Sequence, residues 1–191
     1  MTPEQLDALV AQARGGNARA RNDLLAELYR SVRKHVYLMI GAGSLAEDVV
    51  QETMIALHRG LERFRGDASA RTWALAIATR TALRLRKKEQ RYVPVDDGAD
   101  TAVFDVAPAA AAELVLLRRA LATLAPKKRD AFVLMAIFEL SAEEAGRALG
   151  TFANTAASRF RHARAELEAY VLRTKFDEST VTAATKDVGN V

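Results

Sequence analysis

A chain of 191 residues, half of them hydrophobic, can bury one large or two small cores, which excludes global disorder. It has no cysteine, so disulfides and thiolate metal sites are excluded, and no run of eighteen apolar residues that could span a bilayer. The formal net charge of +4 hides an uneven distribution: residues 63–92 hold nine Lys/Arg against two Asp/Glu, residues 93–112 hold four Asp and no cation, and residues 113–173 hold ten against seven. Two basic blocks flanking an acidic strip suit a polyanion touched at two places.

The opening stretch, MTPEQLDALVAQARGG, lacks a basic-then-apolar export pattern, which predicts a cytoplasmic protein. Leu6, Leu9, Val10 and Ala13 share one face of a first helix that Gly15-Gly16 ends. A second helix runs through Leu24, Leu25, Leu28 and Tyr29 to Ile40, and GAGS at 41–44 breaks the chain again. Ser44, with Glu47 three residues on, predicts a capping box for a third helix that turns Val50, Thr53, Leu57 and Leu61 inward. RGDAS at 65–69 reads as a turn, followed by a long helix over 70–91. Arg80, Arg84, Lys87, Lys88 and Arg91 form one basic stripe on it, with Trp73 and Ile77 extending that side. Such a stripe suits a groove for single-stranded nucleic acid with a stacking platform, although spacing alone favours Trp73 as core.

Residues 93–112, VPVDDGADTAVFDVAPAAAA, read as an acidic linker whose terminal alanines could join the next helix. The second half resumes with Leu114, Leu117, Leu121 and Leu124. Pro126 opens a helix at its tolerated first turn, carrying Phe132, Leu134, Met135 and Phe138. Ser141 and Glu144 predict a capping box for the short helix AEEAGRALG. A last helix runs from about Asn154 to Arg173. Its Ala156, Phe160, Ala163 and Leu167 make a buried stripe, and Asn154, Ser158, Arg161 and His162 face outward, flanked by Arg159 and Arg164. Periodicity alone fits a solvated basic face as well as a DNA-reading one. The short helix and turn before it favour helix-turn-helix geometry. The expected fold is all-α: two small helical domains, 1–92 and 113–173, joined by an acidic flexible linker over 93–112, the second domain containing the helix-turn-helix. A polar, mobile tail is expected over 174–191.

Two stretches carry a resemblance. LAEDVVQETMIALHRGLERFRGDASARTWALAIATRTALRLRKK (45–88) and LRRALATLAPKKRDAFVLMAIFELSAEEAGRALGTFANTAASRFRHARAEL (117–167) resemble the extracytoplasmic-function sigma factors of bacterial RNA polymerase, two-domain members of the sigma-70 group. With the linker and the N-terminal helix pair, the resemblance covers about 1–172. It implies a sigma factor that binds core RNA polymerase and directs promoter-specific initiation. Asp48, Gln51, Glu52, Ile55 and Arg59 would dock on the clamp helices of the largest polymerase subunit, and the spacing sets them apart from Val50, Leu57 and Leu61. Melting and holding of the −10 element would fall to Phe64, Arg65, Asp67, Ser69, Arg71, Thr72, Trp73, Ile77, Arg80 and Arg84. The −35 duplex would be bound by Asn154, Thr155, Ser158, Arg159, Arg161, His162 and Arg164, with this domain on the polymerase flap. Asp96, Asp97, Asp100 and Asp105 would thread the linker toward the active-site cleft. An anti-sigma factor clamping both domains is the implied regulator; no metal, cofactor or small-molecule substrate is implied.

The chain departs from the family's usual GTVKSRLHRAR. It has Asn154 for the glycine, Ala157 for the first cation, Thr151-Phe152 for an Ile-Pro pair, and Gly146 for a packing alanine. An altered −35 preference follows, with Arg161 and His162 as base readers and weaker phosphate anchoring at Ala157. Other functions fit less of the chain. His35, His58 and His162 are scattered, with no HExxH, nucleotide-binding glycine loop or Ser/His/Asp set, so an enzyme is not expected. A free-standing helix-turn-helix repressor leaves the docking face and the basic stripe without use. A helical adaptor predicts no dependence on DNA.

Overall fold

A computed structural model describes residues 1–89 and 108–187, and for Pro3, Pro108 and 174–187 the backbone alone. Every regular element among the described residues is helical, with no strand. Helix α1 (Pro3–Arg14) starts at a capping box between Thr2 and Gln5, and Asn17 caps α2 (Ala18–Ile40) by accepting from the Ala20 amide at 3.1 Å. Helix α3 (Ser44–Gly60) passes through a short 3₁₀ turn, Leu61–Arg63, before α4 (Ala70–Glu89). Leu24, Leu28, Val32 and Val36 recur every four residues along α2 and are buried, which makes it the spine of the first half. Val49, Thr53 and Leu57 of α3 and Ala74, Ala78 and Ala82 of α4 face the same core; the alanine row on α4 lets its backbone lie close.

Two local expectations change here. Ser44 is the first helical residue and not the cap, so the Ser44–Glu47 capping box does not form. Gly43, at φ 115°, occupies the cap position, and its carbonyl takes the Glu47 amide at 3.2 Å. The buried set of α3 begins at Val49, while Val50 is half-buried.

In the second half, α5 (Pro108–Ala122) absorbs the last residues of the expected linker. Helix α6 (Pro126–Phe132) has Pro126 at its start and widens into one π turn, Val133–Ile137, where the Phe138 amide donates to the Val133 carbonyl. The expected capping box opens α7 (Ala142–Leu149), with Ser141 and Glu144 bonded reciprocally, and Gly150 ends that helix in the left-handed region at φ 63°. Helix α8 (Ala153–Asp187) runs through most of the segment expected to be a tail after Arg173. No glycine or proline interrupts it before Gly189, so nothing in the sequence stops the helix at Arg173. Arg91, Asp96, Asp97, Asp100 and Asp105 lie outside the described residues.

The two halves pack on each other. Arg129 of α6 donates to the Met39 carbonyl near the end of α2 at 3.2 Å, while also holding the Leu121 and Leu124 carbonyls at the end of α5. Leu75 of α4 is fully buried in a cluster with Leu134, Leu140, Ala145, Ala148 and Ala156, so α7 rests on α4. Arg86 of α4 forms a bidentate pair with Asp130 of α6, at 2.8 and 3.4 Å. Asp130 is 1% exposed; burial pushes its carboxyl above the ordinary value, against the pull of Arg86. His35 of α2 is fully buried and meets Phe138 edge-on at 5.4 Å. The Thr79 hydroxyl donates to the Leu75 carbonyl at 2.8 Å, so the 2.9 Å bond with His35 Nε2 requires the imidazole to donate. His35 Nδ1 then carries a lone pair with no partner. Burial lowers this imidazole's pKa to about 3, which keeps it neutral at pH 7.

Candidate nucleic-acid interface

Helix α3 turns Val49, Thr53 and Leu57 into the core, which by helical geometry leaves Asp48, Gln51, Glu52, Ile55 and Arg59 outside; all five are exposed. Ile55 is an exposed large apolar side chain within that polar face. Glu52 pairs with Arg84 of α4, joining one residue of the expected docking face to one of the expected −10 site.

Between α3 and α4 the chain turns over a small aromatic stack. Phe64 is buried and lies 4.8 Å from Trp73, and Trp73 packs on Gly60, where a Cβ would stand 3.0 Å from the indole. Ser69 serves as the α4 cap: its hydroxyl accepts from the Thr72 amide at 3.0 Å, and its carbonyl takes the Trp73 amide. The two rings form the floor of a cavity of about 470 Å3, walled by the loop from Arg63 to Ala68 and by Thr72, Ala76 and Arg80 of α4. Of the residues expected at the −10 element, Phe64, Arg65, Asp67, Thr72, Trp73 and Arg80 therefore converge. Arg71 is exposed but lines a different cavity, beside Arg30, Arg33 and Lys34 of α2. Ile77 is half-buried and packs against the core. Arg63 and Ala76 belong to the cavity and were not singled out in the sequence; Arg63 directly precedes Phe64, the first of the expected −10 residues, a signal that was legible. Glu144 and Arg147 of α7 also line it, and only the packing of the halves brings them there. Arg80, Lys87 and Lys88 are exposed along α4, with Arg84 on the same side held by Glu52.

Helix α8 buries Ala156 and Ala163 fully and Phe160 and Leu167 in part, as its periodicity requires. Asn154, Arg161, His162 and Arg164 are exposed; Thr155, Ser158 and Arg159 are half-buried. Arg164 is tied to Glu168 at 2.8 Å, and the charge of Arg159 acts inward on Asp130. Of the residues expected at the −35 duplex, Asn154, Arg161 and His162 are therefore the exposed ones that no acidic side chain ties down. Among the described residues no three His, Asp or Glu side chains converge as a metal site, and no helix is long and apolar enough to cross a membrane.

Residues 24–92 match the family model for sigma-70 region 2, and residues 114–167 match that for sigma-70 region 4. The ECF RNA polymerase sigma factor SigM of Mycobacterium tuberculosis is 31% identical over 169 residues, covering 86% of this chain and 84% of its own. This chain belongs to the ECF sigma factors of the sigma-70 family. The RNA polymerase sigma factor YlaC of Bacillus subtilis is 24% identical to this sigma factor over 163 residues, covering 82% of this chain and 94% of YlaC. Among solved structures, CnrH in complex with the cytosolic domain of CnrY superposes with a TM-score of 0.62 at 27% identity, over 89% of this chain and 97% of that one. The sigma factor RpoE of Bartonella quintana, solved with the anti-sigma factor NepR, shares the fold of this sigma factor with a TM-score of 0.66 at 22% identity, over 81% of this chain and 98% of that one.

Proposed function

We propose that this sigma factor docks on core RNA polymerase through the exposed face of α3, holds an unstacked −10 base in the cavity between the Arg63–Ala68 loop and α4, and reads the −35 duplex with α8. The observation that carries the reading is the cavity itself. It has an aromatic floor of Phe64 and Trp73, and Arg63, Arg65 and Arg80 around it. Strand opening needs no bond chemistry; it needs a site that favours the unstacked strand over the duplex, and stacking surface with cations for phosphates supplies that. Asp48, Gln51, Glu52, Ile55 and Arg59 present a polar face with one apolar centre, the composition of a protein-docking patch. The site of action is the cytoplasm, where polymerase and promoters are. Because α7 supplies Glu144 and Arg147 to the same cavity, a strand reaches its floor once α7 has moved off α4. A partner that clamps both halves would act on that movement; CnrH is solved in complex with a protein partner, the cytosolic domain of CnrY.

Run-off transcription by core polymerase on a pooled random-promoter library, with and without this chain, tests the proposal. Start sites that require the chain and share two spaced motifs support it. An active core enzyme that gains no start sites from the folded chain, which binds duplex DNA tightly alone, would support a repressor instead.

A further inference from the structure

Phe152 is 85% exposed, the most exposed large hydrophobic side chain among the described residues. Its backbone is nonetheless pinned. The Phe152 carbonyl takes the Thr155 and Ala156 amides at 3.0 and 3.1 Å, which starts α8, and the preceding Thr151 amide donates to the Gly146 carbonyl of α7 at 2.9 Å. A Cβ at Gly146 would stand 3.0 Å from the Thr151 carbonyl oxygen, 3.1 Å from the Ala153 nitrogen and 3.2 Å from the Phe152 carbonyl carbon. Gly146 therefore lets the turn lie directly against α7. The ring itself is left in solvent at the leading end of α8. A residue starting a helix is ordinarily a side-chain acceptor, and phenylalanine supplies none, so local helix chemistry does not explain the choice.

The surroundings identify what the ring meets. From Gly150 through Arg164 the chain has no acidic residue, and Asn154, Arg161 and His162 are exposed on the same helix. In helix-turn-helix docking the N-terminal residues of the second helix face base edges in the major groove. The one apolar group displayed there is the C5-methyl of thymine. We propose that Phe152 is a base-reading residue whose ring packs on a thymine methyl in the −35 duplex. The inference rests on the reading of α8 as the −35 helix. Gly146 and Phe152, two departures from the family pattern, then form one device: the small residue sets the turn and the large one extends from it.

The test uses the full chain with core polymerase on a promoter selected by the transcription experiment, replacing each −35 thymine in turn by deoxyuridine, which removes only the methyl. For the wild type, one thymine should lose about fourfold in affinity, the worth of one buried methyl-sized group. F152A should bind the unmodified promoter about fourfold more weakly and be indifferent to deoxyuridine at that one position, while keeping its discrimination elsewhere. Its melting temperature should be unchanged, because the ring touches little in the folded chain. Wild-type indifference to every replacement would overturn the proposal, as would an F152A profile identical to the wild type. Loss of core polymerase binding in F152A with an unaltered base profile would place the ring on a protein and overturn it too. Failure of the −35 reading itself shows separately, as unchanged promoter choice when Arg161 and His162 are both replaced by Ala.

Discussion

Arg86→Ala tests whether the pair with Asp130 holds the two halves together. Asp130 is 1% exposed and its partner sits at 2.8 Å, so removing the guanidinium strands a carboxylate in a site water does not reach. Breaking a buried pair from one side costs about 3–5 kcal/mol. The carboxyl can escape by taking a proton, but from an ordinary pKa near 4 that costs roughly 4 kcal/mol at pH 7, so protonation offers no cheap exit. Arg129 and Arg159 act on the same carboxylate and offset part of the loss. We expect a net penalty of about 3 kcal/mol on the packed arrangement, which moves its equilibrium with a separated one by roughly a hundredfold. Separation rehydrates Asp130, so the half-molecules keep their helices.

The chain has no cysteine, so Gln12→Cys and Ala165→Cys at exposed positions allow clean labelling of one half against the other. Energy transfer between the dyes should fall in the Arg86→Ala chain while far-UV circular dichroism stays constant. The double variant Arg86→Met with Asp130→Asn, which leaves no stranded charge, should recover much of the transfer. Affinity of the free chain for a single-stranded −10 oligonucleotide should rise in Arg86→Ala, because a larger fraction of molecules has α7 off the cavity. Unchanged energy transfer with an unchanged melting temperature would refute the reasoning, since the pair would then hold nothing.

His35 is neutral when folded, with a pKa lowered to about 3, and protonates near 6.5 when unfolded. Above that value both states are neutral and it costs nothing; as pH falls from 7 to 5 the unfolded state alone gains the proton, and stability should drop by about 2 kcal/mol. Denaturant titrations should show this slope between pH 6.5 and 5 in the wild type and lose it in His35→Gln, which keeps a donor for Thr79; equal slopes would count against the assignment. Gly146→Ala should lower stability by about 1 kcal/mol by chemical melt, because the backbone contacts at 3.0–3.2 Å outweigh the better helix propensity of alanine. Ser141→Ala removes the cap of α7 and should cost about 1 kcal/mol, read the same way. Ile55→Asp alters only an exposed side chain, so it should leave the melting temperature unchanged while weakening core polymerase binding at least tenfold; unchanged binding would remove α3 from the docking surface.

Helix positions and faces were legible because they depend on spacing within one segment. Leu24, Leu28 and Val32 declare a buried stripe with no knowledge of what covers it, and the Ser141–Glu144 capping box is local. Ser44–Glu47 has the same pattern and fails, because Gly43 can adopt a positive φ that starts the helix one residue earlier. Partners distant in the chain were not legible. Arg84 and Arg86 are both exposed cations to a reader of α4, yet a two-residue step turns them to opposite sides of the helix. One meets Glu52 at the surface and the other meets Asp130 in the seam between the halves. The same limit hid Glu144 and Arg147. Their place on α7 was plain, but that α7 lines the cavity depends on the packing of Leu75 against Ala145 and Ala148. The consequence bears on function. Leu75 and Ala76 lie between Trp73 and Ile77, so one turn of α4 both faces the cavity and anchors α7. Any force that frees the cavity must therefore expose Leu75, and burial of that leucine by about 2 kcal/mol is what a partner or promoter has to offset.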